Sequence, residues 1–322
     1  MTREDLEQHQ VWLYLSAVVL GLGAGGAWPH AAGMLEPLVW PLLGLLLYAT
    51  FTQVPLRAIP RAFVDGRFLT TALLGNFVLL PLIVWGLVQL APDDGPLRLG
   101  LLLVLLVPCT DWFITFTQLG RGDAVRATVM TPVILILQFL LLPAYLWLMA
   151  GESLGAVFSW GQLWPALLVV VLPLIMAGLT QWWSARRPRA ERARQALGWW
   201  PVPLLAVVIA VVAASHVEPA GQALDVLPVV LGVALCFLLI ALGLARALAS
   251  LARLPAQSGR TLAFSFGTRN SFIVLPFALS LPAGWEVTAI VVVMQSLVEL
   301  LGMICYLWFV PKVLFRTSEP AV

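Results

Sequence analysis

Long apolar stretches alternate with short polar connections along the whole chain. Ten of the stretches are close to the length of about 20 residues that a helix needs to cross the hydrocarbon core of a bilayer. This pattern predicts an all-α polytopic membrane protein with ten transmembrane helices, which we number as spans one to ten. The spans cover residues 11–27, 35–54, 68–90, 97–118, 125–149, 162–182, 199–215, 226–248, 260–281 and 287–311.

Polar interruptions lie near the middle of spans four and nine. The first is Pro108–Asp111 (PCTD) and the second is Gly267–Ser271 (GTRNS), and each is followed by an aromatic residue, Phe113 or Phe272. Such sequences break the hydrogen-bond ladder of a helix. At membrane depth a break is tolerated only where protein buries it or where it lines a wet cavity. We therefore expect the two breaks to pack against each other and to form a compact polar site.

The two breaks fall at the same place in each half of the ten-span pattern. An odd-numbered unit duplicated in tandem has opposite orientations in the membrane, as in many secondary transporters. We predict a single transporter domain, residues 1–322, built from two inverted five-helix repeats at approximately 11–149 and 162–311. The glycines Gly23, Gly25 and Gly26 in span one are expected to allow close contact between helices.

Composition supports a membrane protein, and the basic residues predict its orientation. The chain is 61% apolar and 11% charged, with a mean hydropathy of +0.96, which is far outside the range of soluble domains. Basic residues favour cytoplasmic connections. They gather on alternate connections, at Arg57, Arg61, Arg67, Arg121, Arg126, Arg186, Arg187, Arg189, Arg192, Arg194, Arg246, Arg253, Arg260, Lys312 and Arg316. The other connections hold Arg98 and mostly acids, namely Glu36, Asp93, Asp94, Glu152, Glu218, Asp225 and Glu286. Both termini are therefore predicted to be cytoplasmic, with the protein in the inner membrane of a bacterial cell.

Three charged residues lie near the middle of the spans, namely Asp111, Arg269 and Glu299, while the other charges lie outside the spans or at their ends. A charge at the centre of a spanning helix costs roughly 2.5–3.5 kcal/mol on insertion scales, so such residues usually serve a function. Asp111 and Arg269 occupy equivalent places in the two breaks, which suggests an ion pair. That pair could be purely structural, or Arg269 could replace a bound cation or contact an anionic substrate.

Glu299 has no obvious partner within its own span, and a buried carboxylate tends to take up a proton. It is therefore the candidate for proton coupling. The alternative is a protonated side chain that only bonds a neighbouring helix.

The cysteines and histidines indicate no resident metal, cofactor or disulfide. Cys109, Cys236 and Cys305 all lie in apolar segments without the spacing of a metal or redox motif. The three histidines are widely separated, and no phosphate-binding loop or nucleophile-and-base set is present. We expect a protein that is not an enzyme and has no cofactor, with a small molecule or ion as substrate. Its other partner is the lipid bilayer; nucleic acid is not expected, and the oligomeric state stays open.

Several short motifs resemble the Acr3-type arsenite efflux carriers of the bile acid:sodium symporter superfamily. They are Leu106–Thr110 and Gln118–Asp123 around span four, Asn270–Phe272 in span nine and Ser296–Glu299 in span ten. The resemblance implies a panel domain of spans one, two, six and seven, and a core domain of the other six in which spans four and nine cross. It also implies that Cys109 and Glu299 are tied to the export of As(OH)3 in exchange for protons.

Three positions depart from that resemblance. Asp111 and Arg269 replace residues that are small or uncharged in arsenite carriers, and Ile273 stands where those carriers often have a glutamate. Sodium-coupled bile acid carriers usually have a glutamine-asparagine pair where this chain has Arg269-Asn270. A fixed guanidinium there would repel a bound sodium ion, which favours proton coupling or no ion coupling.

We therefore expect a secondary active transporter that exports arsenite or antimonite. The alternatives are an organic-anion carrier of the same fold with sodium or proton coupling and, with less support, a passive channel or membrane-embedded receptor. The expected substrate-binding residues are Cys109, Thr110, Asp111, Thr268, Arg269, Asn270 and Ser271, with Glu299 for proton coupling.

Overall fold

The computed structural model describes residues 3–149, 160–185, 187–215 and 217–316, and within these ranges the regular structure is helical, with no strand. The orientation prediction also used Glu152 and Arg186, which lie outside the described residues. The helices are α1 (Arg3–Ala27), α2 (Pro29–Leu35), α3 (Val39–Gln53), α4 (Ile59–Ala62), α5 (Gly66–Leu74), α6 (Leu80–Gln89), α7 (Gly95–Leu106), α8 (Trp112–Leu119), α9 (Ala124–Met149), α10 (Trp160–Ser184), α11 (Pro188–Leu197), α12 (Pro201–Ser215), α13 (Val217–Leu251), α14 (Ala256–Gly267), α15 (Ser271–Leu279) and α16 (Glu286–Phe309).

Seven helical stretches among the described residues are long and apolar enough to cross a membrane. They are His9–Ala27, Ile59–Gln89, Ala124–Met149, Trp164–Ser184, Pro188–Ser215, Asp225–Leu251 and Glu286–Leu314. These stretches overlap predicted spans one, three, five, six, seven, eight and ten. The shorter apolar helix α3 lies at span two, and spans four and nine are each present as two half-helices. The prediction of an all-helical, multi-pass membrane protein is confirmed.

Both half-helix pairs are interrupted where the sequence predicts a break. α7 ends at Leu106 because Val107 is extended (φ −105°, ψ 109°) and Pro108 has no N–H with which to continue the ladder. α14 ends at Gly267, and Thr268 is likewise extended (φ −102°, ψ 138°). The chain becomes helical again at Trp112 and Ser271. We call the two interruptions break one, residues 107–111, and break two, residues 268–270.

The helices pack in two groups. In the first helix group, α1 packs against α12, while α3 packs against both α10 and α12. In the second helix group, α16 packs against α7, α13 and α15, while α14 packs against α13 and α8. The groups touch mainly where α15 meets α10 and α3, and where α16 meets α1. The first group contains spans one, two, six and seven.

Two glycines of α1 allow its close approach to α12. A Cβ at Gly25 would lie 2.2 Å from the carbonyl oxygen of Ala214, and a Cβ at Gly21 would lie 2.4 Å from that of Ala210. A Cβ at Gly23 or at Gly26 would have no atom within 4 Å. The predicted close contact is therefore confirmed for Gly25 and wrong for Gly23 and Gly26, which lie on a different side of the helix.

We expect Gly25→Leu to destabilise the protein and Gly26→Leu to have little effect. The added side chain at position 25 must push α1 away from α12, and overpacking of this kind typically costs about 1–3 kcal/mol. Thermal unfolding of the detergent-purified variants compares the two changes on adjacent residues. Equal unfolding temperatures would mean that the α1–α12 contact does not need this glycine.

Candidate functional site

The backbones of the two breaks satisfy each other's hydrogen bonds. The N–H of Cys109 donates to the carbonyl of Thr268 at 3.1 Å, and the N–H of Asn270 donates to the carbonyl of Val107 at 2.8 Å. Pro108 and Arg269 lie opposite each other in an isolated antiparallel bridge. An unpaired backbone group in hydrocarbon costs several kcal/mol. This pairing therefore explains how both helices can be broken at the same place.

Side chains of the predicted site add further bonds at this contact. The amide of Asn270 donates from Nδ2 to Oγ1 of Thr110 at 3.1 Å, and its Oδ1 accepts from the N–H of Ile273 at 3.3 Å. Asn270 thus joins the two breaks and also caps the start of α15. Cys109, Thr110, Thr268, Arg269, Asn270 and Ser271 are buried, whereas Asp111 is half-buried.

The guanidinium of Arg269 caps the ends of both interrupted helices. The side chain is only 1% exposed. Its Nη2 donates to the carbonyls of Phe266 (2.8 Å) and Ser265 (3.2 Å) and to Oδ1 of Asn76 (3.2 Å), and Nη1 donates to the carbonyl of Leu105 (3.3 Å). The three carbonyls belong to the last turns of α7 and α14, where the helix dipoles favour a positive charge. The ring of Phe237 covers the guanidinium, with 5.1 Å from Cζ to the ring centroid.

The predicted ion pair between Arg269 and Asp111 is wrong. The guanidinium bonds carbonyls at the ends of α7 and α14 rather than the carboxylate at the start of α8. The physical reason is the register of the bridge: Arg269 lies opposite Pro108, and Asp111 lies three residues further along break one. A set of carbonyl dipoles can neutralise the cation without a second charge.

Asn76 is the part of this site that the sequence analysis missed. It lies in a π-helical turn, Gly75–Leu79, which links α5 to α6 within span three. Its Nδ2 donates to Oγ of Ser265 at 2.9 Å, while its Oδ1 accepts from Arg269. The signal was present, because a Gly-Asn pair in the middle of an apolar span is the kind of polar insertion that marks a functional region.

Glu299 connects α16 to break two. Its Oε1 accepts the backbone N–H of Arg269 at 2.9 Å, and its Oε2 accepts Nε2 of Gln295 at 3.0 Å. Only 1% of Glu299 is exposed. The expectation that it has no partner in its own helix is wrong, because Gln295 lies one turn earlier on the same face of α16.

A small cavity lies between the two helix groups beside the breaks. Its volume is about 20 Å³, which leaves room for about one water molecule. It is lined by Tyr14, Leu205 and Ile209 from the first group and by Trp112, Ser271, Phe272, Leu275, Val292, Val293, Ser296, Leu297 and Leu300 from the second. None of these side chains carries a charge. The cavity therefore offers mainly apolar surface to a bound molecule, with the hydroxyl-bearing residues Tyr14, Ser271 and Ser296 in its lining.

Trp112 closes the cavity across the boundary between the groups. Its ring stacks on Tyr14 of α1, with 6.0 Å between centroids, and meets the edge of Phe272 at 5.0 Å. Phe113, the aromatic residue that the sequence suggested for the position after break one, is fully buried in the core. The aromatic contact between the two breaks is made by Trp112 and Phe272 instead.

The three cysteines are free and have different surroundings. Cys109 is buried in break one, 3% exposed, whereas Cys236 and Cys305 are exposed on the outer faces of α13 and α16. Cys109 does not line the cavity in this closed arrangement. Contact between its thiol and a molecule in the cavity would therefore require a movement of break one or of the groups.

The geometry, with two broken helices that meet inside a multi-pass protein, is that of a transporter site. The sequence profile of the Sodium Bile acid symporter family matches residues 40–221. This is more than half of the 322 residues. The chain belongs to the Sodium Bile acid symporter family. It is thus a membrane transporter rather than an enzyme, with an ion or small molecule as its substrate. A search of curated proteins found no match.

The capping role of Arg269 predicts which residues couple to it. Arg269→Met should destabilise this Sodium Bile acid symporter family member by about 3–5 kcal/mol, because it leaves buried carbonyl groups without a donor. Combined with Asn76→Ala, the effects should be non-additive by 0.5 kcal/mol or more, as is usual for residues in contact. Combined with Asp111→Asn, the two effects should add. Thermal unfolding of the single and double variants measures both cycles. Strong coupling of Arg269 to Asp111, with no coupling to Asn76, would instead support an ion pair between Arg269 and Asp111.

Proposed function

We propose that the protein is a secondary active transporter that exports arsenite or antimonite in exchange for protons. The observation that supports this best is the uncharged lining of the cavity beside the breaks. Arsenite in neutral solution is the uncharged hydroxide As(OH)3, which needs hydroxyl partners and, for tighter binding, a soft thiolate ligand. Ser271 and Ser296 line the cavity, and the thiol of Cys109 lies in break one.

An organic-anion carrier of the same fold is the second candidate, but the position of Arg269 argues against it. A carboxylate taken out of water needs a cation or several donors. The guanidinium of Arg269 bonds carbonyls on the far side of break two, and it does not line the cavity. An anion bound there would have to displace these bonds to reach the one positive charge in the two breaks.

The same side chain supports proton coupling over sodium coupling. A fixed guanidinium at the helix ends disfavours a second cation nearby by direct repulsion. Glu299 provides a buried carboxyl that contacts break two through Oε1. Protonation of this carboxyl would weaken the hydrogen bond that Oε1 accepts from the break, which is a direct way to link proton binding to the substrate site.

The transport cycle we propose depends on movement between the two helix groups. The first group corresponds to the expected panel and the second to the core, and the cavity lies at their boundary. Adding α3 and the two broken pairs, α7–α8 and α14–α15, to the seven long stretches gives ten crossings arranged as two inverted repeats. Both termini are then cytoplasmic in the inner membrane. The volume of about 20 Å³ corresponds to a closed state between openings to either side.

Substrate recognition in this proposal is divided between the two breaks. The groups that face or support the bound hydroxide come from Cys109, Thr110, Asp111, Thr268, Asn270 and Ser271. Arg269 acts through the backbone that it holds in place. Because the breaks bond each other, displacement of one by the substrate is felt by the other. This gives a physical route by which substrate binding favours the group movement.

The thiol is tested by uptake of arsenite into everted membrane vesicles with imposed proton or sodium gradients. We expect Cys109→Ser to reduce proton-driven accumulation more than about tenfold, a loss of 1.4 kcal/mol or more, because oxygen binds As(III) less well than thiolate sulfur. Cys236→Ser and Cys305→Ser are the matched controls, since those thiols are exposed on outer faces, and both should transport normally.

Each alternative gives a different result in the same vesicles. Unchanged accumulation by the Cys109 variant would remove thiol chemistry from the mechanism. Saturable uptake of a bile-acid-like anion without arsenite uptake would favour the organic-anion carrier, and a requirement for a sodium gradient would contradict proton coupling. Flux that never saturates and ignores both gradients would indicate a channel.

Glu299→Gln should separate substrate binding from coupled transport. Glutamine resembles the protonated carboxyl in size but cannot take up and release a proton. The variant is expected to fold and to bind arsenite, yet to give no accumulation against a gradient and no dependence of flux on pH. Binding to purified protein and flux in vesicles at several pH values measure the two properties. Normal pumping with a normal pH profile would make Glu299 a structural residue.

A further inference from the structure

Gln295 has an unused hydrogen-bonding group beside the proton-coupling candidate. The side chain is 1% exposed, and its Nε2 donates to Oε2 of Glu299 at 3.0 Å. Its Oε1 is buried and has no hydrogen-bond partner. Buried polar atoms are nearly always bonded, so a lone acceptor next to a carboxyl group calls for a physical explanation.

The two oxygens of Glu299 differ in what they can do when a proton arrives. Oε1 faces the backbone N–H of Arg269, which belongs to the bridge between the breaks and can only donate. Oε2 faces the amide of Gln295, which contains both a donor and an acceptor. Of the two groups that bond this carboxyl in the described part of the chain, Gln295 is therefore the one that can change from donor to acceptor, and the proton belongs on Oε2.

We propose that Gln295 is a positioning residue whose side-chain amide flips, exchanging the positions of Nε2 and Oε1, when Glu299 changes protonation state. In the ionised state, Nε2 donates to Oε2. When one proton binds to Oε2, that bond breaks, and a new bond forms in which the hydroxyl of Glu299 donates to Oε1 of Gln295. The two ends of the amide are nearly equal in size, so the turn needs no repacking. The lone acceptor thus gains its partner only in the protonated state.

This inference rests on the proposed role of Glu299 and extends it. Each protonation state has its own complete set of hydrogen bonds around the carboxyl, so neither state leaves the carboxyl group itself poorly satisfied in the membrane interior. The amide supports both states, and its bond to the ionised carboxylate is the stronger of the two because one partner is charged. A carboxyl with two fixed donors would instead strongly favour the ionised form and would hold protons poorly.

Other ionisable groups near Glu299 are occupied or lie on other elements. Arg269 faces it from break two and Cys109 from break one, and Tyr306 faces it from α16 itself. The guanidinium of Arg269 is bonded to carbonyls, and the hydroxyl of Tyr306 donates to the carbonyl of Leu238 at 2.5 Å. Cys109 is the remaining group that could influence the carboxyl, and Cys109→Ser serves as its control.

The test compares Gln295→Met with Gln138→Met. Methionine keeps the length of the side chain but loses both hydrogen-bonding ends. Gln138 is also buried, on α9, and makes no bond to Glu299. We expect Gln295→Met to raise the pH of half-maximal arsenite exchange by about one unit, since loss of one bond to a charged group is of that size. Gln138→Met should leave the profile where it is in the unmodified protein.

Gln295→Asn provides a second variant if the methionine variant does not fold, since its shorter arm cannot reach Glu299. It should give a shift in the same direction, and the Cys109→Ser control should bind arsenite more weakly without shifting the pH dependence of binding. The inference is overturned if both Gln295 variants fold and keep the original profile while Glu299→Gln is inactive. It is also overturned if Gln138→Met gives the same shift. Normal, pH-dependent pumping by Glu299→Gln would instead remove the proposed function of Glu299 itself.

Discussion

The structure depends on one constraint: a helix that is broken where no water is available must find hydrogen bonds elsewhere in the protein. Break one and break two meet this need by bonding each other through Cys109, Thr268, Asn270 and Val107. Neither interruption could exist alone in hydrocarbon. The packing of the second helix group, the position of the cavity and the environment of Glu299 all follow from the place where these two backbones meet.

Arg269 connects the carboxyl of Glu299 to the carbonyl ends of the two interrupted helices. Its backbone N–H bonds Glu299, while its guanidinium bonds the carbonyl ends of α7 and α14. One residue therefore links a group that can change charge to the two interrupted helices. A transporter needs such a link, because an ion that binds without altering the substrate site cannot drive transport. The fixed cation supplies the positive charge that the helix ends require without a dissociable ion.

The sequence predicted the broad architecture well and the side-chain directions poorly. Apolar length and the PCTD and GTRNS interruptions located the helices and both breaks, because these depend on local composition. The partner of Arg269 could not be predicted, because it depends on which way a side chain leaves an antiparallel bridge. Asn76 and Gln295 were missed for a related reason: each matters only through a residue that is brought close by packing, Asn76 to Arg269 and Gln295 to Glu299.

The π-helical turn at Gly75–Leu79 gives span three one residue more than a regular helix of the same height would hold. Deleting a residue there would restore a straight helix and rotate everything on one side of the turn by about 100° relative to the other. Asn76 could then no longer face Arg269 while α6 kept its packing against α7. The residue count of this span is therefore part of the information that specifies the site, and an alignment that closes the extra position with a gap would pair Asn76 with the wrong neighbour.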